Sequence, residues 1–153
     1  MTDPIKHKAT VKAVRVIRYI SIALFLISLT QSCFSIDADS SGSTGIVYLL
    51  VGAAFFYTSP AALVWLANPL LLFAWIYLFS KPKVSLVTSL LASIISLSFI
   101  CFHSIRTDEG GFLHPIVKYE FGYVFWVASC LTILFANVYE KWLVNVLPNS
   151  EIN

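Results

Sequence analysis

Four long stretches of the chain contain no Asp, Glu, Lys or Arg. They cover residues 19–36, 40–80, 84–105 and 121–139, which is 100 residues in all. Each stretch is continuously apolar, without the alternation of a half-buried strand or of an outer-membrane barrel. A helix needs about 20 apolar residues to cross about 30 Å of hydrocarbon, and it satisfies its own backbone groups there. The pattern therefore predicts transmembrane helices.

We predict an all-α fold, an integral membrane helical bundle with four spans in a single domain over residues 1–153. The first, third and fourth windows are each long enough for one crossing. Tyr119 and Tyr123 lie near the exterior boundary of the last predicted span, while Tyr139 and Trp142 flank Lys141 at its other end, as aromatic residues do at the two membrane interfaces. The predicted spans and exterior loop are about 17–36, 46–79, 84–105 and 119–139, with the loop at 106–118.

The second window is too long for one crossing and short for two. After a polar turn at 40–45, 35 residues remain at 46–80, whereas two crossings need about 40 residues and a turn. Pro60, which follows a hydroxyl N-cap signal, and Pro69, which lacks an N–H, predict breaks in this segment. We favour four spans with a kinked, re-entrant or interfacial piece here, and five shortened helices are the alternative.

The basic residues predict the orientation. Five of the ten Lys and Arg residues precede the first window, and cytoplasmic loops carry an excess of such residues. Four crossings place eight of the ten basic residues on one side, whereas five crossings place seven there. The charge distribution therefore predicts four spans with the N-terminus and the C-terminus both cytoplasmic.

Composition narrows the class of protein. The 153 residues are 58% hydrophobic and 12% charged, against about 25% charged in a typical globular protein, and the mean hydropathy is +0.82. These values disfavour a soluble enzyme, a nucleic-acid binder or a disordered tail and make the lipid bilayer the main environment. No Asp, Glu, Lys or Arg lies within the four windows, which disfavours a proton-coupled transporter or a charged ion channel.

Serine residues recur at helical spacing in two predicted helices. In the third span they share one face, as small residues do where helix backbones approach closely. We interpret this face as a helix-packing seam, with a hydrophilic pore lining as the alternative. The seam consists of Ser85, Ser89, Ser93 and Ser96, and the first helix has a similar set at Ser21, Ser28, Ser32 and Ser35.

Three amide side chains are candidate ligand or partner contacts. Asn68 precedes Pro69, where a broken helix would expose its amide or, alternatively, the amide would cap the break. Gln31 lies near the exterior end of the first predicted helix, and Asn137 lies near the cytoplasmic end of the last. Both are candidates for hydrogen bonds between helices.

Catalytic and cofactor chemistry are not predicted. The chain contains no nucleophile-elbow, zinc-protease or phosphate-loop motif, and its three histidines lack metal-ligand spacing. Cys33 and Cys101 are placed at comparable depth, so a disulfide is one alternative and free apolar thiols are the other. We therefore predict a protein that is not an enzyme, with no cofactor and no metal.

Two short motifs carry a resemblance. Ser28-Leu29-Thr30-Gln31 and the segment Trp65-Leu66-Ala67-Asn68-Pro69 resemble motifs of small, uncharacterised bacterial multi-span inner-membrane proteins. The resemblance implies a compact helical bundle in a bacterial inner membrane and transfers no activity.

Two main functions are expected from these features, and a membrane enzyme that uses the loop at residues 106–118 ranks behind both. The first is an accessory subunit or immunity-type protein that packs against the helices of a membrane-protein partner or of a second copy. The alternative is a small-solute or lipid-binding transporter that uses the broken helix at Asn68-Pro69.

Overall fold

The computed structural model describes residues 4–36, 43–55, 57, 61–106 and 113–146, which are mostly helical. In chain order, the elements are α1 (Pro4–Thr30), β1 (Phe34–Ser35), α2 (Gly45–Phe55), a 3₁₀ helix (Ala62–Leu66), α3 (Ala67–Tyr77), α4 (Pro82–Ser98), a 3₁₀ turn (Phe99–Cys101), β2 (Ser104–Arg106), β3 (Leu113–Pro115), β4 (Lys118–Tyr119) and α5 (Phe121–Val146).

Three helical stretches are long and apolar enough to cross a membrane. They are Val11–Thr30, Pro82–Cys101 and Phe121–Trp142, so long apolar helices occupy the first, third and fourth windows as predicted. The helix in the third window ends at Cys101 rather than at the predicted residue 105, because residues Ser104–Arg106 form β2. The first helix ends at Thr30 rather than at the predicted residue 36, because the chain turns there and enters β1.

The second window divides into shorter helices. The break predicted near Pro60 lies outside the described residues. The break predicted near Pro69 is corrected, since Pro69 lies in the first turn of α3 and the helix continues through it. An N–H in the first turn of a helix has no partner within the helix, so proline is tolerated there. The irregular segment is the 3₁₀ helix just before α3.

Two small antiparallel ribbons lie at one end of the helices, which we call the strand end. Phe34 of β1 pairs with Tyr119 of β4, and Ile105 of β2 pairs with His114 of β3. The predicted exterior loop at 106–118 therefore contains strand residues, while residues 107–112 lie outside the described ranges. Strands of two or three residues are too short to produce a periodic pattern, so the sequence did not predict them.

The opposite end carries most of the positive charge and is called the basic end. It includes the first half of α1, the connection from α3 to α4 and the last turns of α5. Its basic residues with described side chains are Lys12, Arg15, Arg18, Lys81, Lys83 and Lys141.

Three pairs of helices form the main packing interfaces: α1 with α5, α3 with α4, and α4 with α5. Gly122 at the start of α5 lies against the end of α1: its N–H donates to the Ser32 carbonyl at 2.8 Å. A Cβ added at Gly122 would lie 2.6 Å from that same oxygen. Only glycine permits this approach, which places α5 antiparallel to α1.

Candidate functional site

The predicted serine face of α4 lies inside the protein. Its four serines are Ser85, Ser89, Ser93 and Ser96, all buried. The Ser85 hydroxyl donates to the Ala74 carbonyl of α3 at 2.7 Å, and the Ser93 hydroxyl reaches the Cys130 carbonyl of α5 at 3.2 Å. This face therefore packs against two helices of the same chain.

Two of the candidate amides have different environments. Asn137 is buried, and its Nδ2 donates to the Ser89 hydroxyl of α4 at 3.2 Å, which joins α5 to α4. The Asn137 Oδ1 is buried and has no hydrogen-bond partner. Gln31 is exposed, and its amide donates to the neighbouring Thr30 hydroxyl at 3.2 Å. Asn137 thus contributes to packing, while Gln31 makes a local bond at the strand end.

A reciprocal serine pair connects α1 to α5. The Ser21 hydroxyl donates to the Ser129 carbonyl, and the Ser129 hydroxyl donates to the Ser21 carbonyl, each at 2.8 Å. The indole N–H of Trp75 in α3 donates to the Ser21 hydroxyl at 2.9 Å. Three helices therefore meet at one buried polar centre. The spacing within the first helix indicated Ser21, but no local pattern indicated its partners.

A cavity of about 140 Å³ lies toward the strand end and opens to the surface. Its walls come from the end of α1, from β1, α2, the 3₁₀ helix and the start of α3, from the 3₁₀ turn and β2, and from the start of α5. Seven of the lining side chains are aromatic, and most of the others are aliphatic or small. The aromatic set is Phe25, Phe34, Tyr48, Trp65, Phe99, Tyr123 and Trp126.

Asn68 lies in the wall of this cavity, and its amide is bonded at both ends. Its Oδ1 accepts from the Trp126 indole N–H at 2.9 Å, and its Nδ2 donates to the Trp65 carbonyl at 3.0 Å. The amide therefore caps the 3₁₀ helix and joins it to α5. The bond to the Trp65 carbonyl agrees with the alternative in which Asn68 satisfies its own backbone, while a ligand or partner contact through Asn68 stays a prediction, at a position that lines a cavity.

Three further polar groups of the cavity wall are bonded within the chain. The Trp65 indole N–H donates to the Leu49 carbonyl of α2 at 2.8 Å, which holds α2 against the 3₁₀ helix. The Tyr123 hydroxyl donates to the Ser96 carbonyl at 3.0 Å, and the Ser28 hydroxyl donates to the Phe25 carbonyl at 2.6 Å. The wall therefore presents aromatic and aliphatic carbon rather than hydrogen-bonding groups.

Cys33 also lines the cavity. It is one of three free thiols, the others being Cys101, which is exposed, and Cys130, which is buried. Of the two alternatives for Cys33 and Cys101, the structure has the free thiols. Burial raises the pKa of the Cys33 thiol to about 11. Cys33 is therefore a neutral, weakly reactive group in the wall at neutral pH.

The aromatic cavity lining was not predicted from the sequence. Its members come from six different elements, and each one taken alone matches an interfacial or core aromatic residue. Trp65 and Asn68 lie in a motif that the sequence did single out. No spacing rule connects that motif to Trp126, because the connection depends on how α5 packs.

These features describe a helical protein with three stretches able to cross a membrane and an aromatic cavity at one end. Comparisons with protein-family models, with curated proteins and with solved structures found no match. The resemblance of the two short motifs stays a prediction, and function has to be inferred from the cavity and the charge distribution.

Proposed function

We propose that this chain is an integral membrane protein that binds one apolar ligand, a lipid acyl chain, in the cavity near Asn68 and performs no catalytic step. This is the lipid-binding alternative raised by the sequence. The observation that carries the proposal is the cavity lining: seven aromatic side chains, with the amide and both indole N–H groups already bonded within the chain. A polar solute would find few groups to pair with there, whereas a hydrocarbon chain requires none.

The affinity expected of such a site depends on shape. Inside a bilayer the competing environment is also hydrocarbon, so transfer from water contributes little and close packing contributes more. Cavities of about 150 Å³ lined by apolar side chains accept molecules as small as benzene. Part of an acyl chain fits this volume, and the opening lets the rest of the lipid remain in the bilayer.

The topology that we propose has four crossings. The 3₁₀ helix and α3 together form the second one, with 5 and 11 residues and a combined length of about 27 Å. Helix α2 begins at Gly45 beside Ser28, and the chain is again near the strand end at Ala61, which packs with Phe34 and Tyr123. Since both ends of the segment 45–61 lie toward the strand end, α2 is the re-entrant or interfacial piece.

The orientation follows from the basic end. Positive charge marks the cytoplasmic side of a membrane protein, so we propose that both termini are cytoplasmic and that the strand end faces the exterior. The bacterial inner membrane remains the proposed location, on the resemblance of the two motifs. A role as an accessory subunit or immunity-type protein stays a prediction. The proposal is not built on it, because the serine face that suggested it packs against helices of the same chain.

Fluorescence quenching tests the binding proposal. The purified chain in a neutral detergent is titrated with a phospholipid whose acyl chains carry bromine, because bromine quenches the fluorescence of nearby indoles. The experiment uses the Trp142→Phe variant, which lacks the exposed tryptophan at the basic end. We expect saturable quenching, since Trp65 and Trp126 line the cavity. Ala61→Leu adds three carbons to the cavity wall and should weaken binding about tenfold, a loss of about 1.4 kcal/mol.

Ala53→Leu is the matched control, because Ala53 is exposed on α2 and does not line the cavity. Circular dichroism and thermal unfolding establish that both variants fold. Equal quenching curves for the Ala61 and Ala53 variants would mean that the bromines contact the indoles from the surrounding detergent and lipid, and the proposal would then be rejected.

A further inference from the structure

Arg18 has an unusual environment at the basic end. It belongs to the spanning stretch Val11–Thr30, and its guanidinium carbon lies 5.4 Å from the centre of the Tyr19 ring and 5.5 Å from that of Phe79. Its Nε is buried and has no hydrogen-bond partner. Within the described ranges, neither a hydrogen bond nor an ion pair joins Arg18 to another side chain. Among the residues that the structure describes, the cation is therefore contacted by aromatic rings and by no acidic side chain.

The position of Phe79 sets the depth of this guanidinium. Phe79 follows α3 and is two residues before Lys81, where the chain turns into α4. In the four-crossing topology proposed above, on which this step rests, the turn between α3 and α4 lies at the membrane surface, so Arg18 reaches the layer of lipid headgroups. Long cationic side chains of spanning helices extend to that layer in the same way.

Further positive charge surrounds this point. Lys81 lies with its Nζ 5.6 Å from the centre of the Tyr77 ring, and Lys83 is exposed at the start of α4. Among the side chains described at the basic end, six are basic and one, Glu140, is acidic. At the strand end, by contrast, Lys118 is paired with Glu120 at 3.0 Å. The excess positive charge among the described side chains is thus at the basic end, and Lys81 and Lys83 lie within four residues of Phe79.

We infer that Arg18, Lys81 and Lys83 bind the phosphate of an anionic phospholipid in the leaflet at the basic end. A guanidinium offers forked N–H groups that match the oxygens of a phosphate, and the two lysines add charge. The aromatic rings beside Arg18 stabilise the cation without competing for its N–H groups. Ser28 of the cavity is ten residues further along α1, or about 15 Å, so this site is separate from the proposed acyl-chain cavity and does not depend on it.

Native mass spectrometry of the full chain tests this site. The protein in a neutral detergent receives equal amounts of phosphatidylglycerol and phosphatidylcholine, and the bound fraction of each is followed with concentration. We expect phosphatidylglycerol to be retained preferentially and Arg18→Gln to weaken its binding about tenfold, the effect of losing a charge-assisted contact. Arg15→Gln removes the same charge from an exposed position one turn away and should change binding by no more than about twofold.

Arg18→Lys keeps the charge but not the fork and should give an intermediate loss. If Arg18→Gln and Arg15→Gln lowered the affinity for phosphatidylglycerol equally, the effect would be one of general surface charge and the site would be overturned. Equal retention of phosphatidylglycerol and phosphatidylcholine would also overturn it. Competition by inorganic phosphate at the same concentration as the lipid would also overturn it, because the ligand would then be a soluble anion. If Arg18→Gln does not fold, Lys81→Gln combined with Lys83→Gln replaces it, with about a fivefold loss expected.

Discussion

Replacing Ser21 by alanine tests the buried polar centre that joins α1, α3 and α5. Ser21 is fully buried, and its hydroxyl both donates to the Ser129 carbonyl and accepts from the Trp75 indole. Ser21→Ala removes both bonds and leaves the Trp75 N–H without this acceptor. Ser129→Ala removes one donated bond, and the Ser21 carbonyl that accepted it lies within α1 and keeps its helical bond.

The two substitutions should therefore differ in cost. A hydrogen bond between helices in a membrane protein contributes about 0.6 kcal/mol on average, which is the loss expected for Ser129→Ala. Leaving a buried donor unpaired costs about 1 to 3 kcal/mol. We therefore expect Ser21→Ala to lower the free energy of unfolding by about 1 to 2 kcal/mol more than Ser129→Ala does.

Unfolding in mixed micelles of increasing denaturing detergent measures these differences, and a double-mutant cycle isolates their cause. In a Trp75→Phe background no indole N–H remains to be left unpaired, so the excess cost of Ser21→Ala should disappear. Ser98→Ala is the control, because that hydroxyl bonds only to Ile95 of its own helix. The assignment of the indole bond would be refuted if Ser21→Ala and Ser129→Ala lowered the free energy of unfolding equally. It would also be refuted if the larger loss for Ser21→Ala persisted in the Trp75→Phe background.

Two further results are expected at the strand end. Gly122→Ala places a methyl group 2.6 Å from the Ser32 carbonyl oxygen and 2.8 Å from that of Gln31. Because the backbone then has to shift, the melting temperature should fall by several degrees. An unchanged melting temperature would contradict the close approach. Burial raises the pKa of Cys33 to about 11, so its thiolate is scarce below that pH, and its alkylation by iodoacetamide should accelerate about tenfold per pH unit between pH 7 and pH 10. Mass analysis of each thiol should find Cys33 slower than exposed Cys101 at pH 7, and equal rates would contradict this burial.

The long helices were predictable because charge-free windows of about 20 residues have few alternatives in lipid. The ends were less predictable, since Thr30 ends α1 through pairing of β1 with a strand 83 residues further along the chain. Pro69 shows the limit of a local rule: proline disrupts a helix interior but not a first turn, and the sequence does not reveal where the turn begins.

The candidate site was partly predictable. Asn68 was notable as an amide in an apolar segment, and the serines of α4 were notable for their spacing. Their partners depend on tertiary packing: Trp126 is 58 residues from Asn68, and Cys130 is 37 residues from Ser93. A single sequence carries no signal for such pairs, so the cavity becomes visible only when α5 is in place.

The pairing of α1 with α5 has a consequence for how the protein is made. The serine pair joins positions 108 residues apart, so a chain that enters the membrane from its N-terminus holds α1 without its principal neighbour until the last helix arrives. Contacts between such distant residues form late in folding. Tyr123 and Trp126 arrive with the same helix, so an unfinished chain has only part of the cavity wall. Occupancy of that cavity would therefore distinguish completed molecules from stalled intermediates during biogenesis.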